Sequence, residues 1–469
     1  MTLSRRIPLN PCDYLYYAHH RMLERTTRAG NLAYMMLDAE GHADPDLVRE
    51  ALAAAMAAHP VTIAPLKVSI LTGRPSWRIP RSPDAAARRA AAEAFTCDDL
   101  HSAPDGHDRV EQLCRQRYHF HWNLATGPQV RLEQYALPGD RTRFRITWPH
   151  LMMDAEGAQW LLLEISRQSQ ILLGPNRPDM HQSSPTVPLQ PPVPPDDQAI
   201  DVLAGHSLAQ RLRLFRRGFS RPATGERPVL RPILPDRRVI LESFGLTHRL
   251  WEPSQVAAIQ ANAKRVTPPG PALYARHLAA CVVRALHRIY GERGIQTDAY
   301  LITFPMRPSL EQTLRIRPIP GNYLVSPVLR IGRNTAGDTR AIGEEIVRQL
   351  ESYRTTQGHL AQWAVVWAAS FSRVRLYDLL LRLPMGFESL MSGFSFYGEI
   401  TPPIRSFAGL KVLNFWGGGP LGSPPGWNPV FSRFADRLNL SLTWNRPAIP
   451  DDLAHRYAQL IEEEVLGSP

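Results

Sequence analysis

Residues 141–165, RTRFRITWPHLMMDAEGAQWLLLEI, constrain this chain more than any other stretch, because they read as strand, sharp turn and helix in direct succession. Phe144, Ile146 and Trp148 alternate with Arg143, Arg145 and Thr147, the two-residue period of a half-buried strand. Pro149 has no N–H to donate and ends regular pairing. Downstream, Ala158, Leu161, Leu162 and Ile165 recur at helical spacing. Asp154 stands where the N-cap belongs, with Glu156 in the first turn. Between them lies His150. An imidazole fixed between two rigid elements, with a carboxylate four residues on, suits a general base.

The HxxxD spacing alone decides nothing. It occurs three times, as His42 with Asp46, His101 with Asp105 and His150 with Asp154. With Asp at ~5% of positions, about one chance match is expected among the sixteen histidines. The second copy even has Gly106 after its aspartate. Local structure separates them: His42 lies in a polar turn before a helix, and His101 in a Pro-, Asp- and Gly-bearing loop. His150 alone follows a strand.

At 469 residues the chain can bury two medium cores, and 44% hydrophobic residues is a globular composition. Cys12, Cys97, Cys114 and Cys281 form no CxxC or His/Cys zinc spacing and are expected to be buried reduced thiols, so no metal is expected. The N-terminal twenty residues lack the apolar run of a signal peptide, and no stretch reaches a membrane span. A cytoplasmic protein, at most peripheral to a membrane, is the expectation. The net charge of +11 invites nucleic acid, anionic lipid or a phosphate-bearing small molecule. Nucleic acid is set aside for want of zinc-finger spacing, an RNA-binding aromatic motif or a lysine run.

Along the chain, NLAYMMLDA (strand), DPDLVREALAAAMAAHP (helix) and VTIAPLKVSIL (strand) open the first lobe. Helices follow near 84–96 and 107–117. TGPQVRLEQYAL and RTRFRITW flank a PGD turn and read as a hairpin leading to His150. Residues 174–195, rich in proline, suit an extended linker. Then Arg211, Arg213, Arg216, Arg217, Arg221 and Arg227 cluster around Leu212, Leu214, Phe215 and Phe219. The cluster reads either as a solvated crossover or as a basic patch for an acidic carrier protein or an anionic membrane surface. The second lobe alternates helices and strands to the end, without a nucleotide-binding Gly-rich loop. The expected division is residues 1–175 as the first lobe, 176–239 as linker and crossover, and 240–469 as the second lobe.

In the order of these landmarks the chain resembles the chloramphenicol acetyltransferase-like superfamily, which includes coenzyme A-dependent acyltransferases and condensation domains. AAAMAAHPVTIAPLK resembles its early helix ending in His-Pro, LATGPQVRLEQYAL its Gly-Pro strand, and PHLMMDAEG its HHxxxDG motif. FPMRPSL and PIPGNYLVSP are similar to its second-lobe Arg and Gly-Asn segments, FSFYGEI to its Ser-Asn-x-Gly strand, and NFWGGGP to a related family's DFGWGKP. The resemblance implies an α/β fold with mixed sheets, in two similar lobes with an active-site tunnel between them. It implies His150 as general base and Asp154 as a structural carboxylate. Gly157, Arg307, Gly321 and Asn322 would support the motif, and Ser395 would be an oxyanion donor. Pro149, Ala155 and Phe396 depart from the family's first His, its Gly after Asp, and its Asn.

The implied reaction moves an acyl group from a thioester to a hydroxyl acceptor without an acyl-enzyme, since no GxSxG nucleophile elbow occurs. No bound cofactor is expected, and acyl-CoA or a phosphopantetheine thioester is the co-substrate. Small-molecule donor and acceptor are the expected partners. Two other readings stay open: a condensation-type enzyme taking its acyl group from a carrier protein to form an ester or amide, and an inactive scaffold of the same fold.

Overall fold

The computed structural model describes residues 5–27, 30–118, 122–174, 202–203, 205–219, 230–231, 233, 243–306, 321–372, 374, 390–399, 404–419, 421, 426–446 and 448–467. Two compact units emerge, and neither is one continuous piece of chain. The first holds β1 (Arg6–Pro8), α1 (Pro11–Thr27), β2 (Leu32–Glu40), α2 (Pro45–Ala58), β3 (Leu66–Val68), β4 (Pro75–Arg78), α3 (Pro83–Ala94), β5 (Phe95–Asp99), α4 (Gly106–Tyr118), β6 (Arg131–Leu137), β7 (Arg141–Pro149) and α5 (Ala155–Leu173). Its main sheet runs β12-β13-β2-β7-β6-β5, where β12 (Ser406–Phe407) and β13 (Leu410–Gly418) come from late in the chain. A cut at residue 240 assigns those strands, and residues 321–323, to the second lobe, but they belong with the first unit. Hydrogen bonding across a sheet ignores distance along the sequence, so a boundary drawn on composition misses such exchange.

The β6–β7 hairpin forms as expected, with Gly139 and Asp140 at positive φ in its turn. Pro60 and Pro65 break the expected strand at VTIAPLKVSIL, which becomes a short 3-10 turn at Pro60–Ile63 followed by the three residues of β3. Cys97, expected to be buried, faces outward on edge strand β5, whereas the other three thiols are buried.

Strand β7 departs from the half-buried reading: seven of its nine residues are buried, so both of its faces are covered. Arg145 is only 1% exposed. Its cost of desolvation is offset by the residue directly across the ladder, Glu133 on β6, at 3.2 Å. Its guanidinium also donates to the Cys114 carbonyl of α4 at 3.0 Å and lies over the Tyr34 ring. Arg143 meets Asp38 across the other ladder at 2.5 Å in the same way. The alternation is real, but its polar side is paid in charge pairs rather than water.

The second unit contains α6 (Leu208–Phe219), β8 (Ser243–Trp251), α7 (Pro253–Val266), α8 (Leu273–Glu292), β9 (Ala299–Thr303), β10 (Val328–Gly332), α9 (Thr339–Thr355), α10 (Gly358–Ala369), β11 (Ser395–Glu399), β14 (Trp427–Phe434), β15 (Arg437–Arg446) and α11 (Asp451–Leu466). Strands β11-β14-β15-β8 form a sheet in which β14, β15 and β8 pair antiparallel, and β9 pairs antiparallel with β10. Large rings fill its core. Trp427 stacks on Tyr457 at 4.3 Å, and Trp444 lies so close on Gly245 that a Cβ there would sit 1.8 Å from its ring. The segment left open between crossover and patch is helical over Leu208–Phe219 and packs on α10. Gly218 allows the approach, since a Cβ there would meet Val365 at 2.5 Å. Arg211 spans the Trp367 ring at 5.1 Å. Leu208 and Leu212 stay 65% and 48% exposed, beside exposed Arg213 and Arg216. Arg221 and Arg227 lie outside the described residues. Among the described residues, no helix is long and apolar enough to cross a membrane.

Removing one member of the buried pair leaves the other uncompensated. Glu133→Ala should lower unfolding stability by about 3–5 kcal/mol, read as a shift in the urea midpoint. Replacing both partners, Glu133→Leu with Arg145→Met, should recover most of that loss.

Candidate functional site

The turn that carries His150 is held from several sides. Strand β7 keeps its pairing to Pro149, opposite Leu32, and the next residue continues the contact: His150 N donates to Asn31 O at 2.8 Å. Trp148 Nε1 reaches forward to the Met153 carbonyl at 2.9 Å and closes the loop. Leu151, Met152 and Met153 are buried beneath it. Helix α5 then starts on the expected cap, with Asp154 Oδ1 accepting from Gly157 N at 3.1 Å. Gly157 is needed for room rather than for flexibility. Its φ is ordinary, but a Cβ there would sit 2.9 Å from that of Met153.

Gly321, Asn322 and Tyr323 lock this turn. Asp154 N donates to Gly321 O at 3.2 Å, and Tyr323 N donates to Asp154 Oδ2 at 3.3 Å. Asp154 thereby ties the helix start to a segment far along the chain. Between those two contacts, the buried Asn322 side chain meets His150 twice. Nδ2 donates to the His150 carbonyl at 2.8 Å, and Oδ1 lies 3.1 Å from His150 Nδ1. The other hydrogen on Nδ2 goes to Asp13 Oδ1 at 2.8 Å, and Asn322 N donates to the same oxygen at 3.0 Å.

These partners settle the chemistry of the ring. Both neighbours of Nδ2 are oxygens that accept, so the amide nitrogen belongs there and Oδ1 faces the imidazole. An oxygen facing Nδ1 requires the proton on Nδ1, which leaves the lone pair on Nε2. Among the described residues, none is hydrogen-bonded to Nε2. The ring is partly exposed and lies flat against Tyr16, with centroids 4.0 Å apart and planes 19° apart.

The other candidates fall differently. Ser395 opens β11 in the second unit and is partly buried. Phe396 packs edge-on against Tyr274 there. Arg307 lies outside the described residues. The rival HxxxD copies do not form the pairs their spacing suggests. His42 lies 3.6 Å from Asp140, and exposed His101 bonds Asp99 at 2.6 Å and Ser102 at 2.8 Å. Asp13, Tyr16 and Asn31 were not anticipated. A signal for Asp13 was present in NPCD, which reads as N-cap, N1 proline and N3 acid. Asp13 N does donate to Asn10 Oδ1 at 2.8 Å at the start of α1.

No family model matches the chain, and no curated protein matches it. Solved structures do. The first condensation domain of the CDA synthetase superposes with a TM-score of 0.70 at 15% identity, covering 100% of this chain and 98% of that one. The chain has the condensation-domain fold. TRI3 trichothecene 15-O-acetyltransferase from Fusarium sporotrichioides shares that fold, with a TM-score of 0.66, 14% identity and coverage of 99% and 95%. A mutant starter condensation domain of rhizomide synthetase, in complex with C8-CoA and Leu-SNAC, gives 0.60, 16% identity, and coverage of 98% and 94%. The α/β class and the likeness to condensation-domain and acetyltransferase structures thus hold at the level of fold.

Within this fold, burial sets the protonation of the cluster. Desolvation moves His150 below its ordinary value, opposed by its own backbone, by Asp154 and by Asn322. Desolvation also pushes Asp13 up to about 8, against the hydrogen bonds from Asn322 and Asn10 that favour its charge. A carboxyl whose folded pKa is raised binds a proton that the unfolded chain releases. Its contribution to stability is full below about pH 4 and is lost as pH rises through about 8. Urea midpoints should therefore decline between pH 5 and 8, and Asp13→Asn, which keeps an accepting oxygen without the charge, should flatten that decline.

Proposed function

We propose that the chain is an acyltransferase that moves an acyl group from a thioester, acyl-CoA, to a hydroxyl acceptor, with His150 as general base. The observation that carries this reading is the Asn322 clamp, which favours the proton on Nδ1 and leaves Nε2 with no hydrogen bond among the described residues. As the acceptor oxygen attacks the thioester carbonyl, its proton passes to Nε2. The carbonyl becomes a tetrahedral oxyanion. Collapse breaks the carbon–sulfur bond, and the departing thiolate recovers the proton from Nε2. The family resemblance assigns the oxyanion donor to Ser395. No acyl-enzyme enters the sequence, because the base acts on the acceptor directly. A base of this kind contributes about 100- to 10,000-fold, and positioning supplies the remainder. The fold it shares with an acetyltransferase and with a condensation domain solved with an acyl-CoA supports a thioester donor.

A second reading, a condensation-type enzyme fed by a carrier protein and forming an ester or amide, draws support from α6. Its exposed Leu208, Leu212, Arg213 and Arg216 make a basic, part-apolar face suited to an acidic carrier. An anionic membrane surface is the other partner that this face would suit. A salt-sensitive dependence on carrier-bound thioester, with free acyl-CoA inert, would favour the carrier reading. An inert scaffold fits poorly with a partly exposed imidazole held by Asn322 and Tyr16.

A free-thiol release assay over a panel of acyl-CoAs with alcohols and amines should reveal turnover. His150→Ala should reduce it by at least about 100-fold while the circular dichroism spectrum is unchanged. Equal turnover in that variant would reject the assignment. The neutral ring is the active form and its pKa lies below the usual 6.5. The rate should therefore rise with pH to a plateau already reached by neutrality.

A further inference from the structure

We propose that Asp13 is a positioning residue for His150, acting through the Asn322 amide, so that carboxyl, amide and imidazole form one chain that keeps the lone pair on Nε2. This deepens the reading of His150 as a base and rests on that reading only for its catalytic consequence. A neutral histidine side chain in water favours the proton on Nε2, which would point the wrong nitrogen at an acceptor. Something must hold the proton on Nδ1. The Asn322 oxygen at 3.1 Å and the residue's own carbonyl both favour it there, but an amide can turn over and present its nitrogen to the ring instead. Asp13 prevents that. Its Oδ1 takes one Nδ2 hydrogen at 2.8 Å and the backbone N–H of the same residue at 3.0 Å, fixing both ends of the Asn322 side chain.

Asp13 is itself anchored. It stands at the third position of α1, its own N–H capped by Asn10 Oδ1 at 2.8 Å, and it is buried. Three residues on, Tyr16 of the same helix stacks on the imidazole, so one helix holds the ring from its face and from its Nδ1 edge. The titratable groups around the chain are Cys12, Tyr16 and Asp154. The Asp13 oxygen accepts in either protonation state, so the clamp does not require a charge. No proton moves along the chain; its task is geometric.

The test is nitrogen-15 NMR of histidine-labelled protein, read at a pH where His150 is neutral, beside steady-state kinetics. Wild type should show a protonated Nδ1 and a pyridine-like Nε2. Asp13→Ala should release the amide, move the tautomer toward Nε2–H and lower kcat by about 10- to 100-fold with KM little changed. Asp13→Asn, which restores an accepting oxygen, should return both signals toward wild type. Asn322→Ala should match Asp13→Ala, and the double variant should lose no more than Asn322→Ala alone. A folded Asp13→Ala protein with wild-type tautomer and kcat overturns the proposal. So does a wild-type spectrum with the proton on Nε2, a result that needs no variant to fold. A chain that obeys the NMR pattern yet releases no thiol from any thioester supports the positioning role and removes acyl transfer instead.

Discussion

The Asn322 side chain is fully buried, and each hydrogen-bonding group it carries is engaged. A buried amide left unpaired costs roughly 1–3 kcal/mol per lost partner, so the two segments it touches, the start of α1 and the turn after β7, are bound to a common outcome. If helix α1 shifts, Asp13 leaves; if the turn after β7 shifts, the His150 carbonyl leaves. Either loss strands donors that have no water to turn to. Low local dielectric strengthens the satisfied network and penalises a partial one, which makes the cluster close to all-or-none. Precision at His150 follows from this coupling rather than from any one strong bond.

The sheet beneath supplies the rigidity that the cluster needs. Strand β7 is covered on both faces, and its arginines are matched across the ladders, Arg145 to Glu133 and Arg143 to Asp38. A one-residue slip of β7 would move each arginine away from its carboxylate and turn Phe144, Ile146 and Trp148 to the other side. Charge pairing and apolar packing therefore agree on a single register. That register places Pro149 opposite Leu32 and presents His150 to the Asn31 carbonyl.

The parts of this arrangement made by neighbours in sequence were readable in advance. The strand, the turn, the Asp154 cap and the hairpin each depend on residues within a few positions of one another, where periodicity and capping rules apply. The covering of the polar face of β7 was not readable, because alternation reports that two faces differ and says nothing of what lies over each. Asn322 was singled out only through resemblance. Its role depends on partners 172 and 309 residues away, and no local pattern encodes such a meeting. The exchange of β12 and β13 into the first unit escaped a linear division for the same reason. Asp13 differs in part: NPCD carries a local helix-start signature that Asn10 and Asp13 fulfil, whereas the meeting of Asp13 with Asn322 has no local pattern.

Burial gives the cluster a further property. It drives His150 toward the unprotonated ring and Asp13 toward the protonated carboxyl, so both settle near neutrality for one reason, the cost of an isolated charge away from water. Neither His150 nor Asp13 is then charged at rest, and a proton taken up at Nε2 is the main new charge there. The imidazolium would then find the Asn322 oxygen already aimed at its Nδ1–H and the Asp154 charge near enough to favour it. Groups that need not reorient when charge appears stabilise it without a reorganisation cost. The same hydrogen bonds that hold the ring in place at rest are therefore the ones that would hold its proton during transfer, and a substitution that loosens one function should loosen the other.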